Sequence, residues 1–326
     1  MSTPYIGRLV HIGSALEAVR GEEVAPTTWI PKTLLTVEDV AEKVTSVESR
    51  GNIWGFSNEE LVVGRHAEGD LEMELGNETI ATFLQATMGT ASSGAFNGVY
   101  QHTFTLQDDN AHDSLTLTVV DEVDQVQFGR AMINSFGISV AVGELVKATV
   151  NFMSNPHTDS DGHSMTYNTN EFKFGHQHVT LKIASDASSL DAASALSIKD
   201  FNITINKNLV LDNALGTVQP TDILNQSFTI EGSFTLNSNN RTFRDLMNDA
   251  TYQALRMDIV NTDQTIGSTN PALRIDLSRC SFFDWSKDQP NDELVTETIN
   301  FRALYDVVNK NVVDDFYLVN QAASVS

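Results

Sequence analysis

Apolar and polar side chains alternate along most of this chain with a period of two. In Asp70-Leu71-Glu72-Met73-Glu74-Leu75 every second residue is aliphatic and the intervening ones are acids. That pattern predicts a strand with one face in a core and one in water. Residues 114–119, 227–236, 273–277 and 296–301 read the same way. Helical spacing is rare. Asn77 is placed to cap a helix whose Ile80, Phe83, Leu84 and Met88 share a face and which stops at Gly89. Asn240 is placed to cap another, carrying Phe243, Leu246 and Met247. A third is expected from Thr36, with Val37, Val40, Ala41 and Val44 as its apolar stripe. The polar stretch 154–170 reads as a loop between two halves. The expected class is therefore all-β with a few short helices.

The pattern also repeats. A shift of 163 places Glu68, Gly69, Leu71 and Met73 on Glu231, Gly232, Phe234 and Leu236, and Thr79, Ile80, Phe83 and Leu84 on Thr242, Phe243, Leu246 and Met247. Further on, a shift of 158 carries Leu115, Leu117 and Val119 onto Leu273, Ile275 and Leu277, and a shift of 149 carries residues 149–152 onto 298–301. Matches in the same order with a shrinking offset are what duplication followed by loop trimming leaves. The expected units are residues 1–155, with an N-terminal arm, and 156–326, with a C-terminal extension.

Composition narrows the function. The formal net charge is −23, from 20 Lys and Arg against 43 Asp and Glu. The acids are spread: 21 against 8 bases up to residue 155, and 22 against 12 beyond it. No basic stripe is present to neutralise phosphates, which argues against tight nucleic-acid binding. Cys280 is the single cysteine, so no disulfide closes within the chain. The N-terminal residues lack the pattern of a signal peptide, and no apolar run approaches the ~18 residues that cross a bilayer. The expectation is a soluble, non-membrane protein made in the cytoplasm.

Several segments together resemble a known family. Gly13-Ser14-Ala15, Ala18-Val19-Arg20-Gly21 and Thr27-Thr28-Trp29-Ile30-Pro31 look like the opening of the double-domain tail tube (major tail) proteins of long-tailed bacteriophages. Glu48-Ser49-Arg50-Gly51, residues 69–75 and 79–89 resemble the elements that follow. Residues 209–220 and 223–236 resemble the entry to the second half, and 297–306 the closing strand. The resemblance runs from about Gly7 to Asp306. It implies tandem β-sandwich or partial-barrel units, each with a helix at its flank, that close into a ring of three or six copies. The rings stack into a hollow conduit for viral DNA during ejection from a siphovirus virion. The partners it implies are further copies of the chain, a tape measure protein, and tail terminator and tail tip proteins. Double-stranded DNA passes through without specific binding, and no cofactor or metal is called for. If each unit gives four strands to an inner wall, six units give 24 strands, a backbone diameter of ~48 Å and a lumen of ~38 Å. Asp70, Glu72, Glu74 and Glu231 are the candidates for an acidic lumen lining that repels DNA. The alternative is that they sit on an outer solvated face.

Other chemistry is weaker. Asp159-Ser160-Asp161-Gly162-His163 is faintly like a calcium loop, but position twelve from Asp159 is Asn170 rather than a Glu. His176 and His178 would share a face of a strand, near His157 and His163, yet four histidines in a polar region are ordinarily solvated. Nucleophile-elbow, phosphate-loop and zincin motifs are absent from the sequence, so no enzyme activity is expected. Scattered carboxylates leave a glycosidase pair open in principle. Trp29, Trp54 and Trp285 read as packing residues rather than sugar platforms. The rivals are a tail tip or baseplate ring protein of the same fold, a glycan-binding surface β-sandwich, and a carbohydrate-active enzyme.

Overall fold

The computed structural model describes residues 5–48, 51, 53, 54 and 60–325. Ser49 and Arg50, part of the resemblance above, lie outside the described residues. Strands hold 54% of the chain and helical turns 8%, which makes the class all-β. The first half runs β1 (His11–Leu16), β2 (Thr28–Ile30), β3 (Leu34–Thr45), β4 (Glu60–Glu74), α1 (Ala81–Met88), β5 (Gly89–Phe96), β6 (Val99–Leu106), β7 (Leu115–Val120), β8 (Gln125–Ala141) and β9 (Lys147–Ser154), and β10 (Thr158–Asp159), in the connection that follows, pairs back onto β8. The second runs β11 (Val179–Ala184), β12 (Ala195–Leu196), β13 (Ile198–Asn206), β14 (Leu209–Asp212), β15 (Asp222–Asn225), β16 (Thr229–Asn237), α2 (Thr242–Asn248), β17 (Gln253–Val260), β18 (Ala272–Asp288), β19 (Thr296–Ala303) and β20 (Val313–Asn320).

Strand pairing repeats between the halves. In the first, antiparallel neighbours follow the order β2-β1-β7-β8-β9-β4-β3. In the second the order is β12-β11-β17-β18-β19-β16-β13. The long strands β8 and β18 each serve two sheets, the N-terminal part pairing outward with β7 or β17 and the C-terminal part inward with β9 or β19. Each bends at a bulge, between Ile133 and Ser135 in one and between Phe282 and Asp284 in the other. An extra residue raises the local twist and lets one strand turn the corner of a sandwich.

The sharpest mark of duplication is a glycine under an aromatic ring. Gly69 faces Phe152 across β4–β9, and Gly232 faces Phe301 across β16–β19. A Cβ on Gly69 would stand 2.3 Å from Thr36 O and 2.7 Å from the Phe152 ring; on Gly232 it would stand 2.3 Å from Asn202 O and 2.6 Å from the Phe301 ring. The shifts of 163 and 149 thus match positions that make the same cross-strand contact in each half. The shift of 158 does not. Residues 115–119 lie in β7, whose topological counterpart is β17, whereas 273–277 lie in β18, the counterpart of β8. Buried apolar strands look alike, and pattern alone matched the wrong pair.

Two helices form where spacing predicts them. Gly89, at φ +101°, ends α1, and its N–H returns to Gln85 O. Asn240 accepts the Thr242 N–H at the start of α2, 2.9 Å. Asn77 does not cap α1. Its Oδ1 accepts the Phe172 N–H at 2.7 Å, and Ile80 stands at the cap without a side-chain bond. The third expected helix is strand β3, paired along its length with β4. Thr36, Val37, Val40 and Val44 are β-branched and favour the extended chain. From Ala41 on, β3 is exposed, so no core selects a helical stripe there.

The halves share one hydrophobic core, which includes Phe83, Phe136, Phe152, Phe201, Phe234, Phe301 and Phe316. They join by main-chain pairing: β8 pairs with β13 from Ser135–Asn206 to Ala141–Asp200, and β20 pairs with β6. Side chains reinforce the seam. Arg20 Nη1 reaches Asp222 Oδ2 at 2.9 Å, and Lys207, fully buried, donates to Ala86 O near the end of α1 at 2.9 Å.

Candidate assembly surface

The inner strands of both halves run side by side in one sheet, in the order β3-β4-β9-β8-β13-β16-β19-β18. Each half contributes four of these eight strands. One face of the sheet packs into the core through Leu71, Met73, Val150, Phe152, Phe136, Ile138, Ile203, Ile205, Phe234 and Ile299. Strand geometry sends the alternate residues to the opposite face, and most of those are polar, with Leu34, Val40 and Met153 as apolar exceptions. Asp70 pairs with Asn151, Glu72 with Thr149, Glu74 with Lys147, and Glu231 with Thr204 and Arg302.

All four acids predicted from sequence therefore lie on one face. Their surroundings differ. Asp70 is exposed and accepts from Asn151 Nδ2 at 2.9 Å, and Glu72 is exposed. Glu74 is half-buried beside Lys147, whose ammonium bonds Glu144 at 2.7 Å; that bond and the charges of Glu144 and Glu72 raise the Lys147 pKa. Glu231 is paired by Arg302 Nε at 2.5 Å, which neutralises it. Sequence reasoning missed other acids of the same face. Glu38 and Glu68 face each other across β3–β4, and Asp200, Asp284 and Asp288 lie on β13 and β18. Only the register of several strands puts them together. Against these acids the face carries Lys147 and Arg302.

The two margins of this sheet have no strand on their outer side among the described residues. β3 pairs with β4 alone, and the stretch Ser281–Asp288 of β18 pairs with β19 alone. Unpaired N–H and C=O groups along such edges template pairing with another chain. The far end of the β3–β4 hairpin exposes Val44, Val47, Ile53, Trp54, Leu61 and Val63.

The other candidate groups are dispersed. His176 and His178 lie in a 3-10 turn, not a strand. His178 is buried and bonds Asp263 at 3.1 Å, His157 bonds Asp39 at 2.6 Å, and His163 bonds Ser160 at 2.6 Å. Among the described residues no group of three or more His, Cys, Asp or Glu side chains is placed to hold a metal ion. Trp29 is buried, and Trp285 is half-buried with Nε1 donating to Glu297 at 2.8 Å. Trp54 departs from the packing expectation: it is 76% exposed, because it sits beyond the sandwich at the hairpin tip. Cys280 is fully buried, and desolvation pushes its thiol pKa up. Among the described residues no helix is long and apolar enough to cross a membrane.

None of the curated proteins matches the chain. A family model described as phage tail tube protein matches residues 7–303. The match spans both repeats and the inner sheet that joins them. With nearly the whole chain covered, the protein belongs to the phage tail tube protein family, a structural family of the virion tail.

Proposed function

We propose that this chain is the major tail tube subunit of a siphovirus, a non-enzymatic protein whose copies close into rings and stack into the conduit for DNA ejection. The observation that carries this reading is the inner sheet: eight strands, four per repeat, with a core-packed face, an acidic polar face and two unpaired margins. Three such sheets, edge to edge, make a 24-stranded barrel of ~48 Å backbone diameter and ~38 Å lumen. Closure removes the edges that would otherwise aggregate. The two units are residues 1–155 and 156–326, so a ring of three copies is pseudo-sixfold.

With the polar face turned inward, Asp70, Glu72 and Glu74 line the lumen, joined by Glu231 in its ion pair. Acids there repel phosphates over roughly a Debye length, ~8 Å at physiological salt, and keep the wall from gripping a moving duplex. The apolar hairpin tip, including Ile53 and Trp54, is covered by the next ring of the stack. A tape measure protein occupies the growing lumen, and terminator and tip proteins cap the tube. Assembly starts from chains made in the host cytoplasm.

Electron microscopy of the purified protein tests this. Long tubes with an open axial channel are expected. Isolated rings that never stack would favour a tail tip component, and monomers at every concentration would sink the reading.

A further inference from the structure

The molecule contains one example of the junction that ring closure needs, because β8 of the first repeat already pairs with β13 of the second. Strand β18 corresponds to β8: Asp284, opposite Asn300, holds the place of Ser135, opposite Asn151, and each follows the bulge. Strand β3 corresponds to β13: Val37, opposite Gly69, holds the place of Ile203, opposite Gly232. The strands with an open edge among the described residues are thus the counterparts of the two strands that pair internally.

From this we infer that β18 of one copy pairs antiparallel with β3 of the next, in the register of the internal β8–β13 junction. The inference rests on the ring reading above and adds the identity of the edges and the residues that meet. Internally Ser135 faces Asn206, Gly137 faces Thr204 and Ser139 faces Asn202. Between copies these become Asp284 facing Val40, Ser286 facing Glu38 and Asp288 facing Thr36. On the core side Trp285 faces Asp39 and Lys287 faces Val37.

Two features agree with this junction, and a third opposes it. The internal one is bounded by main-chain bonds from Lys207 N to Asn134 O, 2.8 Å, and from Val142 N to Lys199 O, 3.0 Å. Counting inward from them, Ala141 is at a non-hydrogen-bonded pair, where the N–H points away from the neighbour. Pro290 is its counterpart, so a proline there removes no bond from the new ladder. The helices supply the second feature. In α1, Phe83 and Leu84 are fully buried, with Lys207 of the second repeat reaching Ala86 O. In α2 the counterparts Leu246 and Met247 are only half-buried, and Arg244 lies over Trp285 on the open margin, 5.8 Å from its ring. On α1 the second repeat contributes Lys207, and in the ring the neighbour's β3 takes the corresponding place beside α2. The third is charge. Glu38 falls opposite Ser286 and diagonal to Asp284 and Asp288, ~7–8 Å away. Closure therefore gathers like charges and is favoured by salt that screens them.

Paired cysteines test the register. Thr36→Cys with Asp288→Cys occupies a non-hydrogen-bonded pair, where side chains approach closely enough for a disulfide. Oxidised tubes should give dimers and a covalent trimer on a non-reducing gel. Ser139→Cys with Asn202→Cys, the internal counterpart, should close within the monomer, and Glu38→Cys with Ser286→Cys should repeat the intermolecular result if the first variant folds poorly. Thr36→Cys with Asp284→Cys, off register, should cross-link at least tenfold less. Wild-type protein that forms no rings would overturn the ring reading. Rings that form while neither in-register pair cross-links would overturn the junction and leave that reading standing.

Discussion

The two halves share a strand order, a bulge and a glycine–phenylalanine contact, yet they stabilise corresponding places by different chemistry. At one place in the outer sheet, Thr118 faces Gln127 in the first half and Arg256 faces Asp276 in the second. The first is a neutral contact, with Gln127 Nε2 donating to Thr118 Oγ1 at 3.2 Å. The second is a two-bonded ion pair, Nε to Oδ1 at 2.8 Å and Nη2 to Oδ2 at 2.7 Å, and Asp191 also bonds Arg256. Desolvation raises the Asp276 pKa, and Arg256 opposes that shift. A sandwich of this topology therefore tolerates either solution; what it requires is that the buried polar groups be satisfied. The inner sheet differs by charge. Asp70, Glu72 and Glu74 on β4 correspond to Ser233, Thr235 and Asn237 on β16, so this strand of the first half is acidic where its counterpart is neutral and polar.

The ion pair offers the largest break in this comparison. Asp276→Asn leaves the Arg256 guanidinium buried without its main partner and should cost about 3–5 kcal/mol in chemical denaturation. Installing the first half's solution, Arg256→Thr with Asp276→Gln, should restore most of that loss. A double variant as unstable as the single one would show that the ion pair is not interchangeable with the neutral contact.

Lys207 comes next. Burial lowers its pKa to about 7, with Arg20 adding to the shift. The folded value lies below the unfolded one, so between pH 7 and about pH 10.5 the unfolded chain binds more protons and stability rises with pH. Compared with Lys207→Met, the native protein should gain on the order of a few kcal/mol across that window, read by denaturation at several pH values. Equal slopes for the two proteins would remove the lysine from the account of the seam.

The paired glycines sharpen the symmetry. Gly69→Ala and Gly232→Ala each push a methyl against a fixed carbonyl and a phenylalanine ring, and each should cost about 1–3 kcal/mol. Similar losses are expected, since the clashes are nearly the same in the two halves. The smallest effect belongs to the acidic strand. Asp70→Ser, Glu72→Thr and Glu74→Asn together should change stability by only about 0.5 kcal/mol per site. The same change should raise retention of double-stranded DNA by assembled tubes, measured by co-sedimentation.

Much of this was legible in the chain. Period-two alternation around Asp70–Leu75 and Thr296–Phe301 marks strands because one face is buried, and the glycine and phenylalanine repeats mark duplication because their contacts leave no room for substitution. The acidic candidates follow from the same alternation, which sends Asp70, Glu72 and Glu74 to one side whatever they meet. Tertiary structure decided the rest. Val37, Val40 and Val44 spell a helical stripe, and pairing with β4 makes them a strand instead. Residues 115–119 match 273–277 in pattern, and only topology assigns them to different positions in the sandwich. The wider acidic face, with Glu38, Glu68, Asp200, Asp284 and Asp288, exists because separate strands lie in register. Local pattern reports which side of a strand meets water; which strands are neighbours, and which edges stay open, is set by contacts between residues far apart in the chain.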